Sequence, residues 1–214
     1  HFGIGGNGNP RNNMFCLQDY LVMEGLTYKL VPLKLGNLKA NDARRSYDII
    51  TENWEYGGMD NPDTYLTEAD KRTSYHLRSA LNAASISMLM DGDTLRAREL
   101  INLSADKMPL NCFEPDITIM ETIETVYGTG QQEKGDSLAS YMFDQLEKDI
   151  IYLYSFPDKH KTGVYRDALH SLSQYDALIE KVAPYNRELA EKKREYFERL
   201  YTTYTSVFPF VVRS

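Results

Sequence analysis

The stretch Thr67–Pro109, TEADKRTSYHLRSALNAASISMLMDGDTLRARELINLSADKMP, decides how this chain folds. Leu77, Leu81, Ala84 and Met88 recur at steps of four, three and four, the period that lines one face of an α-helix. Gly92 interrupts the pattern; Ala97, Ile101 and Ser104 resume it, and Pro109 terminates it. Thr67 and Asp70 stand where a capping box starts a helix, with Asp in place of the usual Glu. Asp93 stands where a side chain can cap the second helix. The small residues Ala84, Ser85 and Ala97 let two antiparallel helices approach closely. The segment therefore reads as a helical hairpin.

With Gly92 as the turn glycine, Leu81, Ala84, Ser85 and Met88 fall on the first helix, and Ala97, Ile101, Ser104 and Pro109 on the second. Each sits where a tetratricopeptide unit takes an apolar, small or terminating residue. A more degenerate unit follows with Gly130 at the turn, preceded by Ile119, Ile123 and Val126 and followed by Gly135, Ala139 and Met142. Its offset from Ala97 to Gly135 is 38 residues, against roughly 34 for the repeat. Leu138, Met142, Leu146, Ile150 and Leu153 continue a helical period beyond it. A third hairpin is expected from Tyr165–Val182 and Tyr185–Tyr204, split by Pro184, a residue tolerated at a helix start. About three stacked pairs are needed to bury a continuous core. The expected fold is mainly α: a short right-handed array of tetratricopeptide-like hairpins over residues 67–214, with residues 1–66 as a loop, strand and helix segment packed on it. An ordinary helical bundle is the alternative.

Working back toward the start, the loop Met59–Leu66 carries Asp60, Asn61, Pro62 and Asp63, all turn formers. Before it, Tyr47, Ile50 and Trp54 share one face of a helix from Asp42 to about Asn53, stopped by Gly57 and Gly58. Leu26, Tyr28, Leu30 and Pro32 alternate with Thr27 and Lys29 as a half-buried strand does. A lone strand must pair, and the expected partner is chain preceding His1. Cys16–Met23 is compatible with a short helix, and His1–Asn13, crowded with Gly and Asn, reads as loop. His1 in place of Met reads as a cut end. The run Val207–Val212, broken by Pro209, reads as a docked tail.

Composition excludes several functions. The net charge of −7 and pI near 5.2 argue against a nucleic-acid surface, which needs clustered Lys and Arg. Apolar runs such as Ile86–Met90 and Val207–Val212 fall far short of the roughly 20 residues that span a bilayer. Cys16 and Cys112 make no metal pattern and read as two separate buried thiols, a disulfide between them being the alternative.

Gly3, Gly5 and Gly8 spell G-x-G-x-x-G, but no strand precedes them and no helix follows, so no dinucleotide cofactor is expected. His1, His76, His160 and His170 show no metal-ligand spacing. Neither a nucleophile elbow nor a Walker loop is present, and no catalytic residue is assigned. The one cluster suited to a ligand is Trp54, Tyr56, Asp60 and Asn61, where aromatic rings stand beside carboxylate and amide groups, as sugar-ring sites require. A packed connector, with Trp54 as anchor and the glycines as turn, is the alternative.

Four stretches carry a resemblance: EGLTYKLVP at Glu24–Pro32, WEYGGMDNP at Trp54–Pro62, Tyr65–Leu66, and DGD at Asp91–Asp93 within the hairpin. They resemble the C-terminal region of a bacterial family of large multi-spanning membrane proteins related to GT-C protein O-mannosyltransferases and long catalogued as a domain of unknown function. The likeness is clear over Tyr20–Pro109 and loose beyond. It implies an extracytoplasmic, periplasmic tail attached to a membrane-embedded enzyme, and none of the transferase residues map onto it. The expected role is a non-catalytic binding or scaffold domain that engages a protein or peptide partner, an acceptor polypeptide or its own enzyme portion. A glycan-binding module using Trp54–Asn61 is the alternative.

Overall fold

The computed structural model describes residues 2–3, 18–35, 41–113 and 115–209. Among them run three short strands and seven α-helices, so the chain is mainly helical. It divides into two compact units: His1–Glu114 with Gly128–Gly130, and Pro115–Tyr127 with Gln131–Ser214.

The first unit opens on a small antiparallel sheet. Its strands β1 (Phe2–Gly3), β2 (Leu21–Glu24) and β3 (Thr27–Leu30) lie in the order β1-β3-β2. Two expectations are corrected here. The stretch expected as a helix up to Met23 is, where described, a 3-10 turn at Gln18–Tyr20 leading into β2. The partners of β3 are both in this chain, β2 with Leu21 opposite Leu30 and Glu24 opposite Thr27, and β1 with Phe2 opposite Tyr28, and not a segment preceding His1. Gly25, at φ +61°, makes the tight reversal that brings the two strands together. Local helical spacing at Leu21–Met23 thus gives way to cross-strand pairing.

Helix α1 (Ala43–Asn53) starts where Asp42 accepts a hydrogen bond from the Arg45 amide at 3.0 Å. Ser46 is buried and accepts from the Gly25 amide at 3.0 Å, which pins the strand turn onto α1. At Trp54 the chain turns to extended backbone; Gly57 and Gly58, both at positive φ, shape the loop that follows.

The decisive hairpin is α2 (Glu68–Met90) and α3 (Thr94–Lys107). Thr67 and Asp70 form the expected reciprocal capping box, and Asp93 accepts from the Arg96 amide at 3.2 Å to cap α3. Gly92 takes φ +82°, a conformation other residues rarely adopt. Leu81, Ala84, Ser85, Ala97 and Ile101 are fully buried and Met88 nearly so, while Gly92 and Pro109 lie nearer the surface. Ile50, Met59, Leu77, Leu81, Leu100 and Met108 share one core cluster, so residues before Leu66 and the hairpin are packed together. Both belong to the compact unit that runs to Glu114.

The second unit holds α4 (Ile117–Gly128), α5 (Gln132–Tyr154), α6 (Asp158–Val182) and α7 (Arg187–Val207). Gly130, at φ +76°, turns the chain between α4 and α5, but these two helices do not pack along each other as the expected second hairpin requires. The closest backbone packing is α5 along α6 and α6 along α7, with α5 also touching α7. Helix α6 begins at Asp158, ahead of the expected Tyr165. Pro184 lies in the turn after α6 and does not start α7, because Asn186 caps that helix by accepting from the Leu189 amide at 3.0 Å.

Aromatic rings fill this unit. Phe143 meets Tyr175 at 4.9 Å between ring centres, and Tyr175 stacks on Phe197 at 6.2 Å. Tyr204 packs on Phe208 at 5.0 Å, with Tyr154 against Phe208 at 6.0 Å. Of the expected C-terminal tail, Val207 ends α7 and Phe208 is fully buried; residues 210–212 lie outside the described residues.

Candidate functional site

The four residues singled out from the sequence divide between packing and surface. Trp54 and Tyr56 are half-buried against the first unit's core cluster, with their rings edge to face at 6.3 Å. The Tyr56 hydroxyl is buried without a hydrogen-bond partner, and burial pushes its pKa up to about 12. Both rings therefore give part of their surface to the core and keep part in solvent. Asp60 and Asn61 are exposed. The Lys107 ammonium, 3.1 Å from Asp60, holds that carboxyl below its ordinary range. Asn61 is used structurally: its side-chain oxygen accepts from the Asp63 amide and its carbonyl from the Thr64 amide, both at 3.0 Å.

Asn61 nevertheless borders an open pocket of about 410 Å³, lined by the 61–66 loop, Lys71, Asn111 and Cys112. That volume falls within the roughly 300–1,000 Å³ of small-ligand sites. Tyr65 stands at its edge, 87% exposed. Lys71 is paired with Glu68 at 3.2 Å. Cys112 is a free, half-buried thiol; burial and the Asp60 carboxylate push its pKa up, the opposite of what a nucleophilic cysteine needs. Cys16 lies outside the described residues. Among the described residues no group of three or more His, Cys, Asp or Glu is placed to hold a metal ion. Gly5, Gly8 and His1 lie outside the described residues; His76 is half-buried with its ring against Tyr75, and His160 and His170 are exposed.

Sequence reasoning did not single out Tyr65, Lys71, Asn111 or Cys112 as a group. Asn111 is far along the chain from the loop it faces, and only the fold of α2 and α3 closes that distance. A second constellation missed in the sequence lies in the other unit. Asp136 accepts from the Tyr127 hydroxyl at 2.7 Å, from Asn186 at 2.9 Å and from Gln132 at 3.2 Å. Burial pushes the Asp136 carboxyl up, but these three donors outweigh it and hold its pKa below the ordinary value. Tyr127 also stacks on Tyr185 at 4.9 Å with the rings nearly parallel. Three turns further along α5, Glu147 accepts from the Tyr175 hydroxyl and from Lys193, each at 2.8 Å, and Lys193 lies over the Phe143 ring. Both networks are internally satisfied and act as ties between helices. No helix is long and apolar enough to cross a membrane among the described residues.

Comparison of the chain with protein-family models, with curated proteins and with solved structures returned no match in any of the three.

Proposed function

We propose that this chain is a non-catalytic binding domain of tetratricopeptide-like hairpins, the extracytoplasmic tail of a membrane glycosyltransferase-like protein, and that it holds a polypeptide for that enzyme. The observation that carries the reading is the α2–α3 hairpin. Its two helices bury the small residues Ala80, Ala84, Ser85, Ala97 and Ser104, of the kind that lets repeat helices pack closely. Its tip leaves large apolar side chains in solvent: Met90 is 76% and Leu95 74% exposed, with Ile86 one helical turn before Met90. Large apolar side chains grouped in this way suit a protein partner. The location and the parent enzyme rest on the stretches Glu24–Pro32 and Trp54–Pro62.

A photo-crosslinking residue at Met90, placed in the full-length parent protein in its own membrane, tests the binding role. Adducts to a polypeptide chain are expected, and adducts to lipid alone would overturn the reading. For the location, Glu188→Cys adds a thiol at an exposed position. Labelling by a membrane-impermeant maleimide from the periplasmic side is expected; labelling only after lysis would sink the assignment.

A further inference from the structure

The pocket beside Asn61 is shaped before any ligand arrives. The Asn61 amide donates to the Gly58 carbonyl and the Thr64 amide to the Asn61 carbonyl, each at 3.0 Å, so the loop is folded on its own hydrogen bonds. Lys107 and Asp60 fasten one end of this loop to the close of α3, and the capping box at Thr67 fastens the other to the start of α2. On the facing side, the 3-10 turn Leu110–Cys112 is closed by the Cys112 amide donating to the Pro109 carbonyl at 3.1 Å, which carries Asn111 to the rim. Pre-ordered loops lower the entropy lost when a ligand binds.

The chemistry around this space is that of a neutral, hydroxylated ring. Tyr65 leaves its aromatic ring in water, where the apolar C–H face of a pyranose can cover it. Around it stand the side-chain amides of Asn61 and Asn111, the carboxylate of Asp63 and the hydroxyl of Thr64, which together donate to and accept from sugar hydroxyls. Charge selects against anionic ligands: an anion would meet Asp63 and the nearby Asp60, Glu68 and Asp70, and Lys71, the cation among the described lining residues, already serves Glu68.

We propose that this pocket binds a neutral sugar ring, stacked on Tyr65 and hydrogen-bonded by Asn61, Asp63 and Asn111. The ring platform in this proposal is Tyr65; Trp54 and Tyr56 are half-buried against the core cluster. The site lies apart from the Met90 tip of the hairpin, and it stands or falls independently of polypeptide binding there.

Saturation-transfer NMR on the 214-residue chain, with the methyl pyranosides of glucose, galactose, mannose and N-acetylglucosamine as probes, tests the proposal. At least one is expected to bind with millimolar affinity. Tyr65→Ala should weaken that binding tenfold or more and Asn111→Ala severalfold, while Trp54→Phe leaves it unchanged. Tyr65 is so exposed that its replacement should keep the circular dichroism of the parent chain; Asp63→Ala is a second exposed variant with the same expected loss. Absence of binding by all four probes, affinity unaltered by Tyr65→Ala, or binding only to charged sugars such as glucuronate would overturn it. Loss of the sugar site with polypeptide adducts at Met90 retained would leave the hairpin reading standing.

Discussion

On α2 and α3 the first unit buries the small residues Ala80, Ala84, Ser85, Ala97 and Ser104 beside its leucines, whereas on and just after α5, α6 and α7 the second buries the rings of Phe143, Tyr175, Tyr204 and Phe208. Small residues bring two backbones close and let dispersion act between the helices themselves. Large rings hold backbones apart and fill the space with side chains, and their hydroxyls then need partners: Tyr175 finds Glu147, and Tyr154 donates to the Leu200 carbonyl at 2.8 Å. One seam therefore fails by crowding and the other by emptying.

The largest expected effect follows from emptying the second. Phe143 is fully buried, and Phe143→Ala should cost about 3–5 kcal/mol in urea unfolding. Crowding the first seam with Ala84→Leu should cost about 1–3 kcal/mol, although the same change on an open helix face would be neutral or better. If Ala84→Leu were harmless and Phe143→Ala mild, the contrast between the seams would collapse. Thr67→Ala removes half of the capping box and should lower stability by about 1 kcal/mol.

Two helical glycines sharpen the comparison, because the same substitution should have opposite signs. A Cβ at Gly163 of α6 meets nothing within 4 Å, so Gly163→Ala should stabilise by about 0.5–1 kcal/mol. A Cβ at Gly135 of α5 would lie 2.5 Å from the Tyr127 ring. That ring is stacked on Tyr185 and tied through its hydroxyl to Asp136, so it cannot swing aside, and Gly135→Ala should destabilise in the same thermal melts.

The smallest effect is a pH dependence. The folded pKa of Asp136 lies below its unfolded value, which is about 3.9. Its contribution is complete above that unfolded value and disappears as pH falls through the folded one. The melting temperature should drop on acidification below about pH 4, and Asp136→Asn should flatten that part of the slope. An identical acid slope in Asp136→Asn would assign it to other carboxylates.

The hairpin was legible in the sequence because its signals are local: a cap at Thr67, a turn at Gly92, a period of three and four between. The β2–β3 pairing was half legible. Alternation at Leu26–Pro32 announced a strand, but Leu21–Met23 has no strong local preference and becomes a strand only through its partner. The partnership of α5 with α6 and α7 was obscured because Leu138, Met142 and Leu146 report a buried face without saying what covers it. The pocket could not be read at all, since Tyr65 and Asn111 become neighbours only once α2 and α3 have folded back. Trp54 and Tyr56 carry the converse ambiguity: aromatic residues beside polar ones look alike in sequence whether they face a ligand or a core.

The single tryptophan of the chain, Trp54, belongs to the first unit, while the ring-filled core of the second contains only tyrosine and phenylalanine. Light absorbed selectively by indole thus reports on one unit, and the near-ultraviolet dichroism of the tyrosine cluster reports chiefly on the other. The molecule carries two separate optical probes by construction of its sequence. Overlaying the two signals during a single denaturation would show directly whether the units unfold as one body or in succession, with no label attached.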